Sequence, residues 1–455
     1  MKPVIIKPID IKRFNALASH TRSPAAAFIS EELGWFANKD ESILAVLLRD
    51  TIDNDFVGII LGRDESGKFR CFDLQASIED KETAMTWIEG AIKWHSRDNS
   101  KIFPQGEKEK SLDLFTTIVS IKKLHPSFVK LQRENMFLPA RRIISEIMPH
   151  FADIDGNFIE QFQTTGFDAR LWELYLYSYL TEEELFIDRE YDRPDFIVKK
   201  YGKSVAIEAT IVGRRNNNPI SFFKTAPNFI SPEEIKRRLA HEIPIKFGSP
   251  LYSKLQKEYW KLKHVQDIPL IFAIADFHDD QSMLWTSTAL VNYLYGVRHD
   301  HHFDEEGRLV IDPIRIETHE IEGKKIPSGF FFQPNGENIS AVLFSASGTI
   351  SKFNRIGRQA GFIPPGVIMF RFGTHHDHNP DASLPKPFKY LVDQNCNETW
   401  GEGLSMFHNP NAKHPVPQEL FPSIAHHRFE NEQIVSALPE FHPYASQTLH
   451  LRMEK

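Results

Sequence analysis

The chain contains the segment RPDFIVKKYGKSVAIEAT at residues 193–210. It consists of two runs rich in β-branched and aromatic residues, separated by a short turn that includes a glycine. This pattern predicts two antiparallel strands joined as a β-hairpin. If Tyr201 and Gly202 form a two-residue loop, Lys200 pairs with Lys203, and that pair sets the register of the whole hairpin.

This register brings two carboxylates together. Counting outward from the turn pairs Asp195 with Glu208, and directly opposed residues have Cβ atoms about 4.5–5.5 Å apart on one face of a sheet. Two like charges so close destabilise the sheet unless an opposite charge lies between them. A hard divalent cation, which prefers oxygen ligands, would remove the repulsion, so the hairpin is predicted to hold a metal ion. The other face is almost wholly apolar and can pack on a core: Phe196, Val198, Val205, Ile207 and Ile211.

A third acidic residue, Glu173, precedes the hairpin within an aromatic segment at 167–180 that is predicted to be helical. A short strand at 185–189 separates this helix from the hairpin. After the hairpin, Ser-Pro at 249–250 predicts the start of a helix that runs to about residue 263. An apolar strand at 269–277 and a further helix follow. The predicted order is therefore helix, three strands, helix, strand, helix.

Glu173, Pro194-Asp195 and Glu208-Ala209-Thr210, in this order of elements, resemble the PD-(D/E)XK superfamily of restriction-endonuclease-like nucleases over roughly residues 165–280. The resemblance implies an α/β (α+β) fold with a mixed-sheet αβββαβ core. It also implies a Mg²⁺- or Mn²⁺-dependent endonuclease in restriction or phage defence, with DNA as the expected partner and substrate. Asp195 and Glu208 would bind the metal, and Glu173 would be a third ligand or a base beside it. Phosphodiester cleavage needs an activated water and cations where negative charge builds up, which such a set can supply.

The sequence departs from the family pattern at Thr210, where lysine is usual. A threonine hydroxyl can orient a water molecule but carries no charge. Lys254, Lys257 and Lys261 follow a spacing of i, i+3 and i+7 in the next predicted helix, so Lys254 or Lys257 could replace the missing lysine. The same stripe is also consistent with an ordinary solvated face. A second hypothesis therefore stays open: a weakened nuclease that binds nucleic acid or has a structural role in defence.

Several basic residues are candidates for contacts with nucleic acid. Arg170 and Arg214 flank the predicted acidic site, where they could bind phosphate or pair with Glu208 in a purely structural ion pair. Three more lie in a C-terminal segment predicted to be a loop, which suits phosphate contacts and a solvated turn equally well: Lys352, Arg355 and Arg358.

The C-terminal third resembles an uncharacterised bacterial family that is sometimes labelled as glycosaminoglycan attachment proteins. The resemblance rests on SGTISKFNRIG at 347–357 and FHNPNAKHP at 407–415, and it implies little about mechanism. We expect three domains. They are a small α+β unit at 1–105, the endonuclease-like core with its preceding helices at 106–300, and a β-rich region at 301–455.

Composition narrows the class of protein. The chain has 54 basic and 61 acidic residues, a formal charge of −7, which argues against a protein that coats nucleic acid but not against a nuclease with a local basic groove. No run of 18 apolar residues and no signal-peptide pattern occur, so a cytoplasmic protein without a membrane partner is expected. Cys71 and Cys396 lie too far apart for a zinc ribbon. A homodimer and a monomer both stay open.

Three groups of histidines suggest zinc at first sight. Adjacent histidines point apart in strands and helices, however, and no Cys-x-x-Cys or His-x-Glu pattern accompanies them. We therefore predict polar loop histidines in each group: His299, His301 and His302; His375, His376 and His378; His426 and His427.

Overall fold

The structure is a computed structural model of the 455-residue chain. It describes residues 5–98, 100–106, 113–214, 231–279, 282–345 and 347–453. Within these ranges the fold is mixed, with helices packed on several β-sheets, so the predicted α+β class is confirmed. None of the helices in these ranges combines the length and apolar character needed to cross a membrane.

The N-terminal part forms a five-stranded antiparallel sheet whose strands follow one another in chain order. This strand order makes the sheet a β-meander within the small α+β unit expected at 1–105. One face of the sheet is covered by a helix that buries Ala84, Ile88 and Ile92, which are spaced four residues apart and therefore lie on one side of it. The elements are β1 (Ile6–Pro8), α1 (Ile11–Ala18), β2 (Ser30–Asn38), β3 (Ile43–Asp50), β4 (Phe56–Arg63), β5 (Phe69–Ile78) and α2 (Lys81–His95).

A group of helices connects this sheet to the rest of the molecule. The last of them is buried on almost every side because its sequence, FDARLWELYLYSYLTE, is apolar all round rather than on one stripe. Side chains of these helices and of both neighbouring sheets belong to one continuous hydrophobic core. The helices are α3 (Pro126–Arg133), α4 (Leu138–Ile147), α5 (Phe158–Gln163) and α6 (Phe167–Glu182).

The middle of the chain follows the predicted order of helix, three strands, helix, strand, helix. The predicted bounds of the helix after the hairpin are wrong. That helix ends at Leu255 and contains Pro250 in its interior, and Glu258 then adopts a left-handed backbone with φ 50°. The elements are β6 (Phe186–Asp188), β7 (Phe196–Lys200), β8 (Lys203–Val212), α7 (Pro232–Arg237), α8 (Ile243–Leu255), β9 (Leu270–Asp276) and α9 (Ser287–Tyr295), with a π-helical turn at 238–242 between α7 and α8.

The hairpin register is confirmed. Lys200 pairs with Lys203, and Phe196 pairs with Ile207. Tyr201 and Gly202 form the turn, both with positive φ, as a tight two-residue hairpin loop requires. The apolar face also packs as expected: the side chains that alternate inward on β7 and β8 join the core beneath α6, whereas the opposite face is covered by α8.

The C-terminal part extends the same central sheet, whose strand order is β19-β18-β17-β14-β9-β8-β7-β6. The predicted boundary between residues 300 and 301 therefore cuts through one sheet, because β14 pairs in parallel with β9. The remaining elements are β10 (Val297–Phe303), β11 (Leu309–Arg315), β12 (Thr318–Ile321), β13 (Lys324–Pro327), β14 (Ala341–Ser345), α10 (Ile350–Gln359), β15 (Val367–His375), β16 (Lys386–Leu391), β17 (Leu404–His408), β18 (Ala425–Glu430), β19 (Gln433–Ala437) and β20 (Pro443–Arg452).

Candidate active site

Asp195 lies at the entrance to the hairpin. It directly precedes Phe196, which pairs with Ile207, and continuing this register by one residue brings Asp195 opposite Glu208. Its carboxylate accepts a hydrogen bond of 2.7 Å from the backbone N–H of Ala209. Within the described ranges, no side-chain donor binds Asp195.

Glu208 is buried and held by two side chains from the segment that ends α8. The Nζ of Lys254, in the last turn of the helix, donates to Oε1 of Glu208. The hydroxyl of Tyr259 donates to the same oxygen at 2.6 Å. Lys254 reaches the carboxylate because α8 covers the sheet face on which Glu208 lies. Tyr259 reaches it because the left-handed turn at Glu258 brings the chain back toward the sheet.

Glu173 approaches from α6, which packs on the other face of the sheet. It is 8% exposed, and both of its oxygens accept hydrogen bonds from Nη1 of Arg170, at 2.8 and 3.0 Å. Burial raises the pKa of Glu173 even though Arg170 opposes this shift. The charge of Glu173 also raises the pKa of Asp195, so the two residues are close enough to interact, but both oxygens of Glu173 are held by Arg170.

Of the three acidic residues, Asp195 has a pKa that is raised far above its usual range. Burial raises the pKa of Asp195 to about 8, and the nearby carboxylates of Glu208 and Glu173 add to this effect. The Ala209 N–H and the charge of Lys254 oppose the shift without cancelling it. Asp195 is thus a half-buried residue whose carboxyl group has no side-chain hydrogen-bond donor in the described part of the chain, and a bound metal ion would lower its pKa.

Sequence reasoning missed Arg189, which follows β6. Its guanidinium lies 3.7 Å from the ring centre of Phe151, and its Nε and Nη1 are buried without a hydrogen-bond partner in the described part of the chain. Burial lowers the pKa of Arg189, whereas Glu173 and Asp195 raise it. A small pocket opens beside it, lined by Asp153, Ile154, Asp155, Phe158, Arg170, Arg189, Tyr191, Asp192 and Asp195.

Sequence reasoning also missed Tyr259. A lysine and a tyrosine five residues apart would not share a face of a regular helix, so no periodicity pointed to it. Its contact depends on the end of α8 at Leu255 and on the left-handed backbone of Glu258. In the sequence-based prediction this helix extends to about residue 263, and no local signal marks its earlier end.

The predicted stripe of lysines is wrong, because α8 ends at Leu255. Lys254 contacts Glu208, whereas Lys257 is exposed in the turn beyond the helix. Lys261 pairs with Glu258 at 2.7 Å. Thr210 is half-buried on β8, two residues beyond Glu208 and therefore on the same face.

The two arginines beside the site have structural contacts. Besides Glu173, Arg170 binds Oε1 of Gln161 at 2.8 Å, and its side chain is 14% exposed. Arg214 lies 3.9 Å from Asp168. The alternative in which one of these arginines pairs with Glu208 is wrong, since Lys254 occupies that position.

The prediction that Lys352 and Arg355 contact phosphate from a loop is wrong. Their segment forms α10, and both side chains are buried, since they face Glu398 at 2.9 and 2.7 Å. Arg358, on the same helix, is half-buried. The charges of Lys352 and Arg355 therefore belong to an internal ion-pair network and are not available to a ligand.

All three histidine groups differ from the expected loops, since His375 is the last residue of β15. His426 and His427 are buried in β18, a strand of the central sheet, and are not loop residues. Nε2 of His408 lies 2.9 Å from Nδ1 of His426, and Nε2 of His426 lies 2.8 Å from the carbonyl of Phe421. The group at 299–302 lies on β10, which is also a strand.

The fit to a metal ion is mixed. In the part of the chain that the structure describes, no group of three or more His, Cys, Asp or Glu side chains is arranged to hold one. Glu208 and Glu173 already accept hydrogen bonds from their own cations. The donor set is nevertheless made of carboxylate oxygens, which suit Mg²⁺ or Mn²⁺, and no side chain of the described residues donates a hydrogen bond to Asp195. No family model, curated protein or solved structure matches this chain.

Proposed function

We propose that this protein is a metal-dependent nuclease with a restriction-endonuclease-like core that hydrolyses phosphodiester bonds in DNA. One observation carries the proposal. Asp195 and Glu208 stand opposite each other at the mouth of the hairpin, and a lysine from the following helix contacts Glu208. This arrangement supplies two acidic residues and a cation at one point.

Each residue has a chemical role in this proposal. Asp195 and Glu208 would hold Mg²⁺ or Mn²⁺, with Glu173 beside them. The bound ion would lower the pKa of a water molecule and offset charge on the phosphate. Lys254 would supply the positive charge that Thr210 lacks, since a fixed cation stabilises the charge that develops during cleavage.

One residue of the pocket beside Asp195 suits a phosphate group, in a lining that also holds Asp153, Asp155 and Asp192. Arg189 places a buried guanidinium there whose Nε and Nη1 are unpaired within the described ranges. Guanidinium groups bind phosphate oxygens through strong, directional hydrogen bonds. Arg189 is therefore a candidate contact for the nucleic-acid backbone.

A second function is favoured by a different observation. Lys254 is already bound to Glu208, and no third metal ligand is in place in the described part of the chain. A weakened nuclease that mainly binds nucleic acid in a defence role would have the same features. The two functions differ in whether the protein cuts.

The test is incubation of purified protein with plasmid DNA, single-stranded DNA and RNA, in Mg²⁺ or Mn²⁺. We expect the wild type to cleave DNA, and Asp195→Asn and Glu208→Gln to lose activity by at least about 10²-fold, as expected for loss of a charge-stabilising group. Lys246→Met is the matched control, because Lys246 lies on the same helix and pairs with Glu242. Binding without metal-dependent cleavage would favour the second function. Cleavage that survives in both carboxylate variants would contradict the first.

A further inference from the structure

Two aromatic rings stack beside the candidate site. The ring of Tyr191 lies over the imidazole of His264, with the ring centres 3.8 Å apart and the ring planes inclined by 5°. Nε2 of His264 donates a hydrogen bond of 2.8 Å to the backbone carbonyl of Arg193, which fixes the imidazole. Tyr191 is 37% exposed, and it lines the same small pocket as Asp195 and Arg189. An exposed aromatic ring on a fixed support therefore stands next to the acidic residues.

The stacked pair suits a flat ligand. His264 covers one face of the tyrosine ring, and the exposure of Tyr191 leaves other parts of the ring accessible. Every nucleobase has a π-face, and stacking of bases on aromatic side chains is a general way of binding single strands. In a duplex the faces of each base are covered by its neighbours, so a base must leave the stack before it can reach such a ring. The pair therefore fits a single strand better than an intact duplex.

The charges of the pocket give phosphate groups limited support. Its lining combines two arginines with four aspartates: Arg170 and Arg189; Asp153, Asp155, Asp192 and Asp195. Arg170 is paired with Glu173, whereas Nε and Nη1 of Arg189 are buried without a hydrogen-bond partner in the described ranges. Arg189 can therefore bind one phosphate next to a stacked base, and stacking must contribute most of the binding free energy.

We propose that Tyr191 and His264 form a stacking platform for one base of single-stranded DNA, with the adjacent phosphate on Arg189. This inference rests on the proposed nuclease function and names its substrate, a single strand or an unpaired end. A base on the platform places the neighbouring phosphodiester bond beside Asp195. Binding to the platform needs no metal ion.

Fluorescence anisotropy in EDTA measures this binding without cleavage. The ligands are a thymidine strand of roughly ten nucleotides, within the site sizes of single-strand-binding folds, an abasic strand of the same length, and the matching duplex. We expect the wild type to bind the thymidine strand about tenfold more tightly than the abasic strand, as for the stacking of one base. Because one phosphate contact is expected, the logarithm of the affinity should fall with the logarithm of the salt concentration with a slope of only about −0.7.

Variants assign the preference for bases to the platform. Tyr191→Ala and His264→Ala should bind the thymidine and abasic strands equally, whereas Tyr191→Phe, which keeps the ring, should retain the tenfold ratio. Arg189→Gln should weaken both strands alike, since a phosphate contact does not depend on the base. Tyr252→Ala is the matched control, because Tyr252 is an exposed tyrosine on α8 that does not line the pocket.

The outcomes separate the platform from the nuclease. Equal affinity of the wild type for the two strands, an unchanged ratio in Tyr191→Ala, or tighter binding of the duplex would overturn the platform. Cleavage of DNA in Mg²⁺ together with any of these results would leave the nuclease standing without it. A base-dependent affinity that Tyr191→Ala removes, in a protein that cuts no DNA in Mg²⁺ or Mn²⁺, would keep the platform and reject the nuclease.

Discussion

The molecule contains two buried clusters of charge, and they are built in opposite ways. In the C-terminal part, Glu398 is surrounded by Lys352, Arg355 and Arg371 at 2.9, 2.7 and 3.4 Å. These cations hold the pKa of Glu398 far below its usual range. At the hairpin, by contrast, burial and two neighbouring carboxylates raise the pKa of Asp195 to about 8.

The difference separates a structural network from a candidate site. A carboxylate whose charge is fully compensated by several cations of the protein has no free oxygen lone pairs for a ligand. A buried carboxyl group with too few cations costs stability, and such strain concentrates where a ligand or a reaction relieves it. By this criterion the hairpin is the better candidate for a functional site, and the ion pairs of α10 stabilise the fold.

The largest effect should come from removing the central carboxylate of the scaffold cluster. Glu398→Gln would break the ion pairs of the buried cations Lys352 and Arg355, whereas Arg371 keeps its pair with Glu402. We expect the free energy of unfolding to fall by about 3–5 kcal/mol, as for other broken buried ion pairs. Glu208→Gln should cost far less, because Lys254 is partly exposed and can turn to solvent. Urea unfolding of both variants measures the difference. Equal losses would show that the two clusters are built alike.

Mg²⁺ should produce the next largest effect, and only at the hairpin. A cation that binds the folded state alone raises the free energy of unfolding by about 2.7 kcal/mol at a hundred times its Kd. We expect Mg²⁺ to raise the melting temperature of the wild type but not of Asp195→Asn. Ca²⁺ serves as a second probe, since it also prefers carboxylate oxygens. Stabilisation by Mg²⁺ that persists in Asp195→Asn would place the ion elsewhere.

Acid should act on the scaffold cluster through His450. Nε2 of His450 lies 2.8 Å from Nδ2 of Asn354, and burial, aided by the charge of Arg355, lowers its pKa to about 4. Between pH 6.5 and about 4 the unfolded chain therefore binds one proton more than the folded protein, so the free energy of unfolding falls as the pH falls.

Replacement of His450 measures its contribution to the pH dependence of the free energy of unfolding. His450→Gln should reduce the loss of stability between pH 7 and pH 4 by about 1 kcal/mol, a value below the full linkage because the ring is partly exposed. Unfolding at several pH values gives both curves. Other buried histidines titrate in the same range, so the difference between the curves is the quantity to compare. Parallel curves would mean that His450 is protonated freely in the folded protein.

Much of the hairpin could be predicted from the sequence, because its information is local. Alternation of apolar and polar residues sets the faces of β7 and β8, and the turn at Tyr201 and Gly202 sets the register. The pairing of Asp195 with Glu208 follows by counting. Glu173 followed from its place in the apolar helix before the hairpin.

The rest depends on contacts between distant segments. Tyr259 reaches Glu208 only because α8 ends early, and Arg189 is placed beside the site by the packing of its guanidinium on Phe151. Nothing near residue 352 in the sequence reveals Glu398, which is 46 positions away and neutralises that lysine. Sequence alone therefore predicts an exposed Lys352, because it cannot show the contact with Glu398.

The smallest effect should come from Lys352 itself. Its side chain is fully buried, and burial lowers its pKa despite Glu398 and Glu402. Without it, Glu398 keeps two hydrogen bonds of 2.7 Å from Arg355, so Lys352→Met removes a desolvated charge but leaves the carboxylate compensated. We expect a change of less than about 1 kcal/mol in the free energy of unfolding, since apolar replacements of buried charges are often close to neutral. Arg355→Met, which breaks both hydrogen bonds, is the matched variant and should cost several times more. Because Lys352 is buried, the affinity for DNA should be the same in Lys352→Met and wild type. A clear loss of affinity in a stably folded variant would show that Lys352 does contribute to nucleic-acid binding.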